Sequence, residues 1–231
     1  MYLGIDFGTS LSSAALWRDG RLLLVKEPVL RLGYSFPTSV YLLPSGEMVI
    51  GQAAERQRLQ DPGRYRREFK RVLGDPDPIL LGDQSFPTEA LVAAVLRKLK
   101  REAEHLTGGP DTVGGAVITV PAAYKEYKRG IMKRAAGDAG FREVDLLEEP
   151  IAAALTYTQE AGAVPEGAVI LVYDLGGGTF DAALLRRTGA SYEPIAVPLG
   201  LERCGGIDFD QAIYRDVLAR FPDVAALVAR N

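Results

Sequence analysis

A chain of 231 residues, 47% hydrophobic and 25% charged, has the ordinary balance of a folded globular protein and is long enough to bury a core. Its formal net charge of -3 gives no electrostatic reason to expect nucleic acid or an anionic membrane as partner. One cysteine, Cys204, and one histidine, His105, leave neither an internal disulfide nor a soft-metal constellation, and without a signal peptide or a run of ~18 apolar residues the sequence reads as cytoplasmic.

Residues 2–6 read as a short buried strand, and residues 7–10 as a turn rich in glycine and hydroxyls. Residues 12–17 form a second strand, Asp19-Gly20 a hairpin turn, and residues 21–26 a third strand, which makes a β-meander. Between Pro28 and Gly51, short apolar pieces broken by Pro37, Pro44 and Gly46 predict short strands in a peripheral subdomain. Residues 52–71 carry Arg56, Arg58, Arg64, Arg66, Arg67, Lys70 and Arg71. Such a run fits an anion site or, as the commoner outcome, solvated helix faces, and composition alone does not single out Lys70.

Residues 88–106 predict a helix capped by Thr88, with Leu91, Val92, Val95 and Leu99 on one stripe and Gly108-Gly109-Pro110 as its stop. Residues 116–120 (AVITV) form a continuous apolar run of strand length, the pattern of a strand buried on both faces, closed by Pro121. A helix over 124–139 ends at Gly140, a short buried strand covers 144–147, and a helix from Glu149-Pro150 runs to about Gly162, with Pro150 suited to the first helical position. Residues 168–173 return to strand. Alternating strands and helices imply a layered α/β core with a partly parallel sheet.

That last strand leads into the most informative stretch, LVYDLGGGTFD over 171–181. Three glycines contribute no packing and cost backbone entropy, so something must approach that backbone closely. A phosphate chain suits peptide N–H groups left free to form an anion nest, although a flexible hairpin turn is the alternative for the glycines alone. The stretch also has a partner in the same chain. Asp6-Phe7-Gly8 corresponds to Asp174-Leu175-Gly176, Ala14-Ala15-Leu16 to Ala182-Ala183-Leu184, and, one inserted residue later, Gly20 to Gly189, with third strands at 21–26 and 191–197. Two such turns facing each other would clamp a polyphosphate, with Asp6 and Asp174 at the strand ends. Two carboxylates beside a polyphosphate need a cation between them, and magnesium, hard and oxygen-preferring, is the natural one.

These residues together resemble the nucleotide-binding domain of the Hsp70 chaperones, within the actin, Hsp70 and sugar-kinase superfamily. GIDFGTS (4–10) is similar to the first phosphate loop, AVITVPAAY (116–124) with LLEEPIAAALTY (146–157) to the first connecting motif, and DLGGGTFD (174–181) to the second phosphate loop. GGIDFD (205–210) resembles the segment opening the next helix, and the likeness extends through FPTEALVAAVLRKLK (86–100). The resemblance implies an α/β fold of the ribonuclease H-like, actin-type ATPase kind, a mixed sheet with flanking helices. Its first lobe would span 1–163, with an inserted subdomain at about 35–113, and its second lobe would begin at 164 and be only begun by 231.

By the same resemblance, Lys70 would hold the γ-phosphate and attacking water, Glu149 would be the acidic residue near that water, and Thr179 the hydroxyl near the γ-phosphate. Asp6 and Asp174 would carry the magnesium shell, largely through water. Gly8, Thr9 and Ser10 in the first loop, Gly176, Gly177, Gly178 and Thr179 in the second, and Gly205 and Gly206 beyond it would bind ATP or ADP. Pro121 and Arg129 match positions that signal between ATP and substrate domains, although strand terminator and surface charge are equally good readings of those two. Co-chaperones and a peptide-binding domain outside this chain are the implied partners, with no nucleic acid or membrane.

Leu11 and Ile207 depart from the family pattern. The chain also stops after one helix of the second lobe (208–221), before the region that supplies most adenosine contacts. The expectation is a fragment or shortened homologue with the phosphate half of the site, binding ATP weakly and hydrolysing it poorly alone. An actin-like filament or scaffold protein is the main alternative, with a sugar or acetate kinase or a non-enzymatic relic behind it.

Overall fold

The computed structural model describes residues 1–29, 33–162 and 164–224. Residues 30–32, within the short-strand stretch expected from Pro28, and residues 163 and 225–231, within the expected lobe spans, lie outside the described residues.

The chain opens with a meander of β1 (Tyr2–Phe7), β2 (Leu11–Arg18) and β3 (Arg21–Leu24), to which β4 (Ser35–Pro37) adds along β2. β1 is not buried on both faces: Leu3, Ile5 and Phe7 point into the core while Tyr2, Gly4 and Asp6 face outward. That alternation brings Asp6 to the strand's open side. A small sheet follows, built from β5 (Ser39–Leu42), β6 (Met48–Ile50) and β7 (Tyr65–Arg67), with α1 (Gln52–Gln57) inserted. The basic stretch is therefore α-helical only at its start. Asp61 accepts from the Gly63 amide at 3.0 Å and closes a one-turn 3-10 helix (Pro62–Arg64), after which the chain extends into β7. Glu68, at φ 64°, redirects it into a second 3-10 turn (Phe69–Val72) that carries Lys70.

A hairpin of β8 (Ile79–Leu81) and β9 (Gln84–Phe86) precedes the long helix α2 (Thr88–Thr107). Pro87, not Thr88, occupies the cap position; Thr88 is buried as the first helical residue. Leu91, Val92, Val95, Leu96 and Leu99 of α2 are fully buried, which places the predicted stripe against the sheet. β10 (Gly115–Val120) then runs parallel to β1, and α3 (Glu126–Asp138) packs beside α2 and returns to β11 (Glu143–Glu148), parallel to β10. The main sheet is thus mixed, in the order β11-β10-β1-β2-β3. β11 is its edge strand, half-exposed rather than buried as expected, because only β10 pairs with it. In α4 (Glu149–Ala161), Glu148 is the cap, so Pro150 sits one place later than the first helical position.

A second sheet contains β12 (Val169–Leu175), β13 (Thr179–Thr188), β14 (Ser191–Pro194) and β15 (Leu199–Glu202), followed by α5 (Gly206–Arg220). It repeats the first meander in register. Leu3 faces Leu16, Gly4 faces Ala15 and Asp6 faces Ser13, while Leu171 faces Leu184, Val172 faces Ala183 and Asp174 faces Asp181. The repeat also includes a fourth strand. β4 lies along β2 with Phe36 opposite Ser12, and β15 lies along β13 with Leu201 opposite Phe180. The hairpin equivalence shifts by one: the loops are Asp19-Gly20 and Gly189-Ala190, so Gly189 stands where Asp19 does, not Gly20. The second core is small, with Ala154 of α4 against Ala183, Leu185 and Tyr192. The other face of β12 leaves Leu171 64% and Tyr173 67% exposed.

Leu96→Ala, in the main core, is expected to cost about 2–5 kcal/mol in urea unfolding. Leu171→Ala on the open face should change stability by no more than about 0.5 kcal/mol.

Candidate functional site: a cleft between two related loops

The two Asp-Gly turns meet at a cleft of about 480 Å³. Its walls come from the first loop (Gly8, Thr9, Ser10, Leu11) and the second (Gly176, Gly177, Thr179), and from Asp6, Asp174, Lys70, Glu149 and Thr119. Ala152, Ala153 and Thr156 of α4 complete them. The loops touch directly. A methyl group on Gly177 would overlap Ser10 Oγ, and one on Gly178 would sit 2.7 Å from the Thr9 methyl. Glycine is needed there because a side chain would wedge the two loops apart.

Lys70 sits at the bottom, only 6% exposed. A buried ammonium must be paired, and its Nζ donates to the Phe7 carbonyl at 2.6 Å and to Glu149 Oε1 at 2.8 Å. Burial pushes the Glu149 carboxyl up, the Lys70 ammonium pulls it partly back, and the charges of Asp6 and Asp174 raise it further. Burial likewise raises Asp174, with Asp6 adding to it. Thr119 donates to Asp6 Oδ1 at 2.8 Å and so fixes its orientation. Around one ammonium, then, stand three carboxylates: Asp6, Glu149 and Asp174.

Glu149 rather than Glu148 reaches Lys70. Glu148 accepts from Arg129 Nη2 at 2.8 Å, and Arg129 Nε donates to the Tyr124 carbonyl at 2.9 Å. Neither Pro121 nor Arg129 lines the cleft; Pro121 borders a smaller cavity beside it. Gly178, Gly205 and Gly206 do not line it either. Gly205 and Gly206 stand behind the second loop, where the amides of Gly206 and Ile207 donate to the carbonyls of Gly176 and Gly177 at 3.1 and 3.0 Å. A methyl on Gly205 would lie 2.7 Å from the Gly177 carbonyl and the Gly178 nitrogen, so glycine at 205 lets the start of α5 brace the loop closely. Gly178 offers its carbonyl outward to Arg71, at 2.8 Å from Nη2. Arg71 also pairs with Asp208, whose carboxylate accepts from the Gly205 amide at 2.9 Å.

Thr119, Arg71 and Asp208 are site-supporting residues that the sequence does not single out. Arg71 stands in the basic run beside Lys70, which is the one signal that pointed near it. Asp181, opposite Asp174 in register, is buried, and burial raises its carboxyl with a partial counterweight from the Thr179 hydroxyl. Among the described residues, no group of three or more His, Cys, Asp or Glu side chains forms a metal cage, and no helix is long and apolar enough to cross a membrane.

Comparison with known proteins places this cleft in context. The profile of the family described as Hsp70 protein matches residues 78–227. The chain belongs to the Hsp70 family. It is 34% identical over 221 residues to a chaperone protein DnaK of Methanothermobacter thermautotrophicus, covering 95% of this chain and 36% of that one. To the DnaK of Elusimicrobium minutum it is 36% identical over 222 residues, covering 95% and 35%. The chain therefore spans about a third of the length of these Hsp70 relatives.

The raised carboxyl of Asp181 makes a prediction. A carboxyl whose folded pKa exceeds its unfolded value of ~3.9 binds its proton more tightly in the fold, so its contribution to stability falls as pH rises through that window. Asp181→Asn should therefore melt above wild type at pH 7, with the difference closing as pH falls toward ~4. Thermal unfolding across that range is the check, and a variant no more stable than wild type at pH 7 would contradict the assignment.

Proposed function

We propose that the chain is the phosphate-binding part of an Hsp70-like chaperone ATPase, binding ATP or ADP with Mg²⁺ between the two loops. The observation that carries this is the buried Lys70–Glu149 pair, 2.8 Å apart, at the base of a cleft whose two sides are register-equivalent turns ending in Asp6 and Asp174. Gly8, Thr9, Ser10, Gly176 and Gly177 would cradle the phosphates. Lys70 would hold the γ-phosphate and the attacking water, Glu149 would orient that water, and Thr179 would donate to the phosphate. Such roles suit phosphoryl transfer, which depends on positioning and charge stabilisation more than on covalent chemistry.

A hard divalent cation fits this donor set. Three carboxylates against one ammonium would repel a triphosphate without a cation, and two oxygen donors with no closed cage match the way magnesium binds through few carboxylates, phosphates and water. Asp6 and Asp174 would hold it, and when bound it would neutralise phosphate charge. Hydrolysis joins the water oxygen to the γ-phosphorus and releases ADP and inorganic phosphate, with Glu149 placed to hold the water's hydrogen. Arg129, tied to Glu148 beside Glu149, and Pro121 would relay the state of the site, in the longer protein, to a peptide-binding domain and co-chaperones. A cytoplasmic location fits this role. The filament reading has no feature of the cleft in its favour over the Hsp70 family match.

No aromatic ring lines the cleft among the described residues, so its grip is expected to be on phosphates. Calorimetry should show weak, Mg²⁺-dependent ATP binding, with inorganic triphosphate within about threefold of ATP; a gain of more than tenfold from adenosine, or 1.4 kcal/mol, would refute it. In single-turnover assays Lys70→Ala should slow phosphate release by about 100-fold or more, the scale of losing one aligned charge-stabilising group. Unchanged turnover would reject the assignment.

A further inference from the structure

A second cavity, of about 130 Å³, adjoins the main cleft, and the two share Thr9, Lys70 and Thr179 as a partition. The sign of its charge is opposite to that of the cleft. Lys70, Arg71, Lys128 and Arg203 line it against Asp75 and Glu202. These cations are not equally available. Lys70 is held by Glu149 and the Phe7 carbonyl, and Arg71 by Asp208 and the Gly178 carbonyl. Lys128 makes a longer contact, 3.3 Å, with the exposed carboxylate of Glu202, and its ammonium lies 5.3 Å from the Tyr124 ring centre. An exposed pair of that kind is weak and can yield to a better anion.

Arg203 has no hydrogen-bond or ion-pair partner among the described residues, so its guanidinium keeps its full set of donors. Its backbone is held at φ 63°, a left-handed conformation that an L-residue adopts only at a cost. An arginine kept in a glycine-like conformation at a cavity wall is the kind of local strain found at ligand sites. The Tyr124 phenol also lines the cavity and remains a protonated donor, because burial and nearby carboxylates keep its pKa high.

We propose that this rear cavity is an oxyanion subsite for inorganic phosphate, anchored by Arg203 and Lys128, on the other side of the Lys70 partition from the nucleotide. Where that phosphate originates rests on the ATPase reading above: it is the second product of hydrolysis, formed at the shared wall of Thr9, Lys70 and Thr179. The carboxylate-rich cleft repels a free phosphate dianion, and the basic cavity attracts it, so the charge gradient across the partition favours movement away from ADP.

The test uses the nucleotide-free chain, titrated with potassium phosphate against potassium chloride at matched ionic strength, while melting temperature and the ³¹P line width are followed. Arg203→Gly is the diagnostic variant, because glycine accepts the positive φ while the whole side chain, guanidinium included, is removed. Wild type should show saturable stabilisation by phosphate, and Arg203→Gly should weaken the apparent affinity at least fivefold, with Lys128→Ala weakening it in the same direction. No phosphate response in wild type, or the same response in wild type and both variants, would overturn the proposal. A parallel titration with Mg²⁺ and ATP separates the two readings. An intact ATP response with variant-insensitive phosphate binding overturns the rear subsite alone. Phosphate binding that depends on Arg203, in a chain with no ATP response, supports the oxyanion subsite and removes the nucleotide reading instead.

Discussion

A single buried ammonium organises this protein. Lys70 lies below the ends of two strands, and a lysine so placed is tolerated only if its charge is answered. The answer comes from two separate parts of the chain, the Phe7 carbonyl at the end of β1 and Glu149 at the first turn of α4, and it ties both to the 3-10 turn that carries Lys70. Losing one partner of such a pair strands the other charge in a poorly solvated place, at a cost of about 3–5 kcal/mol. The meander, the 3-10 turn and α4 are therefore held in mutual position by the electrostatic needs of one side chain.

Around that point the architecture is a duplication used asymmetrically. Both meanders present an aspartate and a glycine turn at the same register, and a fourth strand lies along the second in each. Their packing differs. The first meander is covered by α2 and joined by the parallel strands β10 and β11, whereas the second, among the described residues, packs Ala183, Leu185 and Tyr192 against Ala154 of α4. The same local design thus forms the floor of a well-packed sheet on one side and a lightly supported wall on the other.

Much of this was legible from residue order alone. Period-2 and period-3.6 patterns locate the main strands and α2, and the paired Asp-Gly turns point to a two-sided cleft. What sequence could not supply was orientation. Nothing in a run of seven basic residues says that Lys70 turns inward while Arg71 reaches the second loop, because both outcomes depend on a left-handed turn at Glu68 and on partners distant in sequence, Phe7 and Glu149 for Lys70 and Gly178 for Arg71. Thr119 is hidden for a similar reason: in AVITV it looks like a strand residue, and only the parallel pairing with β1 brings its hydroxyl to Asp6. Gly205 and Gly206 stand out in the sequence as paired glycines, but that Gly205 packs closely behind the second loop is visible only in the fold. Edge position, which exposes β11, is a property of the whole sheet and leaves no local mark.

Helix α4 gives the site a lever arm. Its first residue holds the Lys70 pair, and Thr158 on the same helix meets the Tyr192 hydroxyl of the second sheet at 2.5 Å. At 1.5 Å per residue the two ends stand about 13 Å apart. Over that length, a tilt of roughly 10° at the far end would move the Glu149 carboxylate by about 2 Å, comparable to the length of the ion pair itself. The small second sheet and the buried Lys70–Glu149 pair are thus attached to one helix, so a rotation of the former would carry the Glu149 carboxylate relative to the ammonium it pairs with.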